Sequence, residues 1–289
     1  MQQTVSNHKH DDGGIPRIIM QTWKTTTVPA RWQASQDAIK QLMPDWHYVL
    51  LTDADNLAFV KAHFPDFVKT FTGFEYDIQR ADAIRYMWLY VNGGVYLDLD
   101  ILPLKPFDDL FTSNSHEKKN KPGLKDDCPN LYVVRSSIVN GVYTNAFMAA
   151  KPGLMVMLNC LKLMKAGNSW WHYGKHLKVI NLTGPNMFTR AIRSYQAMQS
   201  RYGTKLIVRE IPTKLIIPCS LCDVDDCKTD GAYCKSLGGS SWSEVDTKFF
   251  ALVYCNRKAI AVFLIFIIVI VVVLVLKRRK GLKILNVHL

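Results

Sequence analysis

The stretch RADAIRYMWLYVNGGVYLDLD, Arg80 to Asp100, sets the fold class. From Ile78 to Val91 the apolar residues Ala81, Ile84, Trp88 and Val91 recur with the period of a helix. Asn92-Gly93-Gly94 stops that helix, glycine being suited to the left-handed conformation that ends many helices. Val95 to Asp100 then alternates: Val95, Leu97 and Leu99 to one face, Tyr96, Asp98 and Asp100 to the other, as a half-buried strand requires. Pro103 and Pro106 are expected to end it.

The same grammar continues on both sides. Ile15 to Met20 reads as a first strand, Arg31 to Leu42 as a helix stopped by Pro44, Trp46 to Leu51 as a second strand and Ala54 to Phe64 as a short helix. Downstream, residues 112–130 are expected to be a polar, mobile loop and Leu131 to Val134 a strand. Gly153 to Lys165 reads as an amphipathic helix, and Thr183-Gly184-Pro185 opens a helix running to about Gln199. Strands alternating with helices over short connections predict an α/β sheet covered by helices. The domain is expected over 15–250, after a flexible N-terminus of residues 1–14.

Asp98 and Asp100 lie two apart on one strand face, about 6–7 Å between Cα atoms. Two carboxylates so placed suit one hard divalent cation, Mn²⁺ or Mg²⁺, of the kind that bridges diphosphates. In open α/β sheets ligands collect at the carboxyl ends of strands, where this pair falls. The competing reading is a solvated acidic turn. Asp82 and Arg85, three apart on the preceding helix, are either a surface ion pair of little worth or a grip on sugar hydroxyls, with Arg80 or Arg85 offsetting phosphate charge.

Of the 36 basic side chains, seven lie from position 257 onward, where no acid occurs, which leaves 29 against 24 acids in the remainder. The net charge of +12 is therefore mostly a C-terminal property and argues against a nucleic-acid partner. Ala259 to Leu276 holds 18 residues without a polar side chain; at about 1.5 Å each it spans roughly 27 Å, close to a bilayer core. It is read as a transmembrane helix followed by a basic tail, 277–289. Residues 1–14 lack the apolar core of a signal peptide, whereas Lys277-Arg278-Arg279-Lys280 favours a cytoplasmic C-terminus and a lumenal domain in an ER- or Golgi-type membrane. The two rules conflict, and a cytosolic domain stays open. Cys219, Cys222, Cys227 and Cys234 stand in a C-x2-C-x4-C-x6-C array suited to two short disulfides or to a structural Zn²⁺.

Together these motifs resemble glycosyltransferases with a DXD sugar-binding region, and in particular the yeast mannosyl-inositol-phosphoceramide synthases. Ile15 to Lys24 (IPRIIMQTWK) is similar to the family's opening strand, with Met20 where His is usual. Arg80 to Asp100 resembles its central motif, Thr144 to Met148 (TNAFM) a segment facing the donor sugar, Thr183-Gly184-Pro185 a Thr-Gly-Pro landmark, and Gly239-Ser240-Ser241-Trp242 its Gly-Ser-Ser-Trp-His terminus, with Ser243 in place of His. The array at 219–234 has no counterpart.

The resemblance implies a GT-A-like fold and a catalytic set of Asp98, Asp100 and Asn145, with Asp98 and Asp100 holding Mn²⁺ or Mg²⁺ on the diphosphate. It implies donor contacts from Gln21, Trp23, Asp53, Arg80, Asp82, Arg85, Gly184, Pro185 and Trp242, and transfer that retains the anomeric configuration by front-face attack. The donor would be GDP-mannose or a UDP-hexose, and the acceptor a membrane lipid, inositol phosphoceramide above all. Three other readings stay open. They are a hexosyltransferase acting on glycoprotein or oligosaccharide acceptors, a non-catalytic sugar-nucleotide-binding membrane protein, and a structural membrane protein built around zinc.

Overall fold

The computed structural model describes residues 14–112, 129–167, 174–202, 205–219, 222, 228–238 and 245–285. The expected N-terminal lead-in, the loop between 113 and 128, Cys227 and the stretch Gly239 to Ser243 lie outside them. The chain divides into two compact units, Met1–Trp242 and Ser243–Leu289.

In the first unit the elements run β1 (Ile18–Thr22), α1 (Ala30–Leu42), β2 (His47–Leu51), α2 (Asp53–His63), α3 (Val68–Thr72), α4 (Asp77–Val91), β3 (Gly94–Leu97), β4 (Ile101–Pro103) and α5 (Asp108–Thr112). After these come β5 (Leu131–Arg135), β6 (Tyr143–Ala150), α6 (Met155–Ala166), α7 (Lys175–Leu182), α8 (Pro185–Tyr202), β7 (Val208–Ile211), α9 (Thr213–Ile216) and β8 (Cys234–Ser236). Six strands form one mixed sheet in the order β2-β1-β3-β6-β5-β7, and β4 pairs with β8 in a two-stranded ribbon. The α/β expectation holds. β1 pairs parallel with both β2 and β3, while β6 runs antiparallel to β3 and β5.

Each face of the sheet has its own core. Met20, Tyr96, Val133 and Met148 pack against Ile84, Met87 and Trp88 of α4, Met157 of α6 and Phe188 of α8. On the other face Ile19, Val95, Leu97 and Phe147 meet Ile39 of α1 and Phe107. Met20, where the resembling family has His, is fully buried. Gly94 is required where α4 hands over to β3: at φ +89° a Cβ would lie 2.5 Å from the Ile18 carbonyl oxygen.

The expected strand over Val95 to Asp100 is shorter than its alternation. β3 ends at Leu97, and Asp98 to Asp100 form a turn closed by the Ile101 N–H donating to the Asp98 carbonyl at 3.1 Å. Ile101–Pro103 then starts a new strand on β8, with Pro103 tolerated in a ribbon of two edges.

The four-cysteine zinc site is not formed. Cys219 and Cys222 are disulfide-bonded. Cys234 is a free thiol, fully buried among Ile101, Phe107 and Ile216, and burial pushes it above the ordinary thiol range. A thiol so placed is poorly disposed to ionise and bind zinc.

The second unit consists of α10 (Val245–Cys255) and α11 (Arg257–Leu285). Arg257–Leu276 has a mean hydropathy of 3.8 and no buried residue, so by length and composition this helix can cross a membrane.

Candidate active site

Helix α4 places Asp82 and Arg85 on one face, and that face is buried rather than solvated. Their side chains are 5% and 3% exposed, with Arg85 Nη2 3.1 Å from Asp82 Oδ1. Arg85 also reaches the turn after β3: its Nη1 stands 3.2 Å from Asp98 Oδ1, and the guanidinium lies 4.4 Å from the Tyr96 ring centre. One guanidinium thus serves two carboxylates. The surface-pair reading of Asp82 and Arg85 is excluded by that burial.

Asn145 enters this cluster through a bulge in β6. Against β5, Val133 pairs with Met148 but Val134 pairs with Thr144, so residues 145–147 bow out of the β5 ladder. The freed Asn145 carbonyl accepts from Arg85 Nη1 at 2.8 Å, and the Ala146 carbonyl accepts from the Asp98 N–H at 2.9 Å. The Asn145 amide donates to Asp82 Oδ1 at 2.8 Å and to the Tyr86 hydroxyl at 3.0 Å. On its other oxygen Asp82 accepts from Thr183 Oγ1 at 2.8 Å. Burial pushes the Asp82 carboxyl up, while Arg85, Thr183 and Asn145 pull it back.

Asp98 is the more open of the pair's two members in contact with Arg85, its side chain 30% exposed. Its Oδ1 accepts from the Tyr96 hydroxyl at 2.5 Å. Asp100, mostly buried, carries a carboxyl pushed up to about 7, first by burial and then by the Asp98 charge. Its carbonyl accepts from the Leu237 N–H at 2.7 Å, which ties the turn to β8.

Gln21, expected at the nucleotide, is fully buried beneath this turn. Its amide donates to Ser35 Oγ at 3.1 Å and more weakly to the Asp98 carbonyl at 3.4 Å, and its carbonyl accepts from the Tyr48 hydroxyl at 3.0 Å. Engaged on both ends, it supports the turn. Trp23 is half-buried, edge-on to Trp32 with ring centres 5.1 Å apart.

Asp53 is exposed at the first residue of α2, and the cap is Thr52, whose hydroxyl and Asp55 form a capping box. Arg80 is spent on the Phe74 carbonyl at 2.7 Å and on Asp77. Gly184 lies beside the cluster: a Cβ there would stand 3.6 Å from Asp82 Oδ2 and 3.0 Å from the Ile180 Cα. Pro185 begins α8, and Trp242 lies outside the described residues.

Sequence reasoning missed Thr183, Tyr86, Tyr96 and Ser35. Thr183 stood inside the Thr-Gly-Pro landmark but had no visible partner in the chain. Thr183→Val should remove a hydrogen bond to a buried carboxylate and lower stability by about 1–3 kcal/mol. Urea unfolding of the full chain checks this, and an unchanged midpoint would refute the tie.

Three carboxylates, Asp82, Asp98 and Asp100, stand around the Arg85 guanidinium, with Arg31 also acting on Asp100, so carboxylates outnumber cations at the site. The Asp98 and Asp100 oxygens suit Mg²⁺ or Mn²⁺, which complete their shell with phosphate and water. Among the described residues no group of three or more His, Cys, Asp or Glu is placed to hold a metal ion by itself.

The α/β sheet thus carries a buried acid–arginine cluster under a D-x-D turn. Residues 29–117, which begin just before α1 and end beyond α5, match the family described as "Glycosyltransferase sugar-binding region containing DXD motif". The chain is 28% identical over 268 residues to inositol phosphoceramide mannosyltransferase 3 of Schizosaccharomyces pombe, covering 91% of this chain and 66% of that protein. It is 31% identical over 183 residues to mannosyl phosphorylinositol ceramide synthase SUR1 of Saccharomyces cerevisiae, covering 63% and 43%. The chain thus spans between 43% and 66% of the length of these two relatives. The PaToxG glycosyltransferase structure aligns with a TM-score of 0.45 at 18% identity, over 65% of this chain and 71% of that one. The resemblance read from the motifs is borne out.

Proposed function

We propose that this chain is a membrane-anchored, metal-dependent retaining glycosyltransferase of GT-A type, moving mannose from GDP-mannose to the headgroup of inositol phosphoceramide. The observation that carries the reading is the buried Asp82–Arg85–Asp98 cluster with Asp100 beside it at the carboxyl end of β3. Its surplus of carboxylates favours a divalent cation, which when bound would stabilise the charge that grows on the departing diphosphate. Asp98 and Asp100 would hold that cation. Arg85 fixes Asp98 and, through the Asn145 carbonyl, the bulge of β6. Asp82 is held by Thr183 and Asn145 in a single orientation, which keeps Arg85 in place beneath Asp98. Asn145 is a poor nucleophile and its amide is already engaged, which favours attack by the acceptor hydroxyl on the face the diphosphate leaves.

The disulfide-bonded Cys219, Cys222 and Cys255 all precede the apolar helix, which supports an oxidising, lumenal compartment for that side. The basic cluster Lys277–Lys280 after it supports the same orientation. Protease added to sealed microsomes should therefore leave residues 14–242 intact until detergent is added, and digestion without detergent would reverse the topology.

The full chain in detergent, screened with Mn²⁺ against common sugar nucleotides, should hydrolyse GDP-mannose fastest and lose activity in EDTA. In vesicles it should mannosylate inositol phosphoceramide. Full activity in EDTA would overturn metal dependence, and preference for soluble oligosaccharides would overturn the lipid acceptor.

A further inference from the structure

The turn between β5 and β6 carries the exposed pair Ile138 and Val139, at 42% and 47%. Among the described residues of the first unit these are the only exposed large hydrophobics. Position makes them informative. β6 runs antiparallel to β3, so its first residues lie beyond Leu97, and Asp98 pairs with Ala146. From Ala146 the strand continues three residues to Tyr143, roughly 10 Å at the rise of a strand, before reaching the turn. The apolar pair therefore projects from the sheet end that bears the D-x-D turn, and farther out than it.

The pair is also held outward. Ser136 Oγ accepts from the Ile138 and Val139 N–H groups at 3.1 and 3.2 Å, and the Ser136 N–H donates to the Val142 carbonyl at 2.7 Å. The exposed Arg193 of α8 braces the base by donating to the Gly141 carbonyl at 2.6 Å. A pinned aliphatic tip with a guanidinium at its foot matches the layering of a bilayer surface, acyl chain below and phosphate above. The chain also carries a 20-residue apolar stretch, Arg257–Leu276, long and apolar enough to cross a membrane.

We propose that the 136–142 turn is a second membrane contact, which dips Ile138 and Val139 into the lipid interface and turns the D-x-D edge toward headgroup acceptors. The inference rests on the lipid-acceptor reading above, and its test separates the two. Among the described residues the free thiols are Cys160 and Cys234, both fully buried. Full-length Val139→Cys can thus carry an environment-sensitive fluorophore, with the parent chain labelled in parallel as background. In phosphatidylcholine–phosphatidylinositol vesicles the label should shift to the blue and be quenched by lipids spin-labelled high in the acyl chain, while the same label at Lys61→Cys should not.

Ile138→Ser/Val139→Ser should lower transfer to vesicle lipid about five- to tenfold, as loss of two partly buried aliphatic side chains implies, with donor hydrolysis in detergent unchanged. An unquenched label at 139 would overturn the contact even if lipid transfer is observed. A shift that follows protein concentration without lipid quenching would assign the patch to a second copy instead, and also overturn it. Quenching without any lipid transfer would keep the contact and remove the lipid-acceptor reading.

Discussion

Asp100→Asn is expected to lower sugar transfer at least about 100-fold, because the departing diphosphate loses a site that stabilises its charge. The same change should leave the fold standing. Asp100 is mostly buried beside Asp98, and burial and that neighbour both disfavour its charge. A neutral side chain of the same shape removes the repulsion, so the melting temperature should hold or rise. Single-turnover transfer and thermal unfolding on one preparation check both halves. Transfer within a few-fold of the parent would remove Asp100 from the machinery, and a large drop in melting temperature would turn it into a structural residue.

Arg85→Met should cost both activity and stability. Arg85 counters Asp82 and Asp98 together and holds the Asn145 carbonyl. Without it Asp82 is a buried charge whose remaining partners are neutral hydroxyl and amide groups. Breaking such a pair from one side is worth about 3–5 kcal/mol. The double variant Arg85→Met/Asp82→Asn removes both buried charges and should regain most of that stability, yet transfer should stay lost because Asp98 is no longer fixed. Denaturant melts of the two variants beside the parent decide the matter. A single variant as stable as the parent would mean that the cluster does not hold the fold together.

Local signals in the chain foretell the frame of this site. The period of α4, the Asn92-Gly93-Gly94 stop and the alternation through β3 are written in adjacent residues, and each element forms where they put it, give or take a residue or two. The end of β3 is different. Apolar and acidic residues keep alternating to Asp100, so nothing in the pattern marks the turn that the Ile101 N–H closes on Asp98. The β6 bulge is also hidden, since it arises from a register shift against β5 rather than from any residue type within it.

Side-chain roles were least legible. Gln21 has the chemistry of a ligand contact, and only its burial under Ser35, Tyr48 and the Asp98 carbonyl reveals a supporting part. Thr183 is a common residue type whose importance comes from a partner on another helix. The cysteine array leaves both disulfides and a zinc site open in the sequence because spacing says nothing about which thiols face a core, and Cys234 does.

The tie between Asp82 and Thr183 also sets a timetable for synthesis. The carboxylate leaves the ribosome 101 residues before the hydroxyl that will receive it, and 63 residues before the Asn145 amide. Until then its polar partners are water and Arg85, and full burial without them would leave a charged group short of hydrogen bonds. The inner face of α4 is therefore expected to stay wet while most of the sheet is being made, with the cluster closing late, as contacts of such sequence separation form slowly. A premature stop between codons 101 and 183 yields a chain that owns the whole D-x-D motif and lacks the hydroxyl that completes the burial of Asp82.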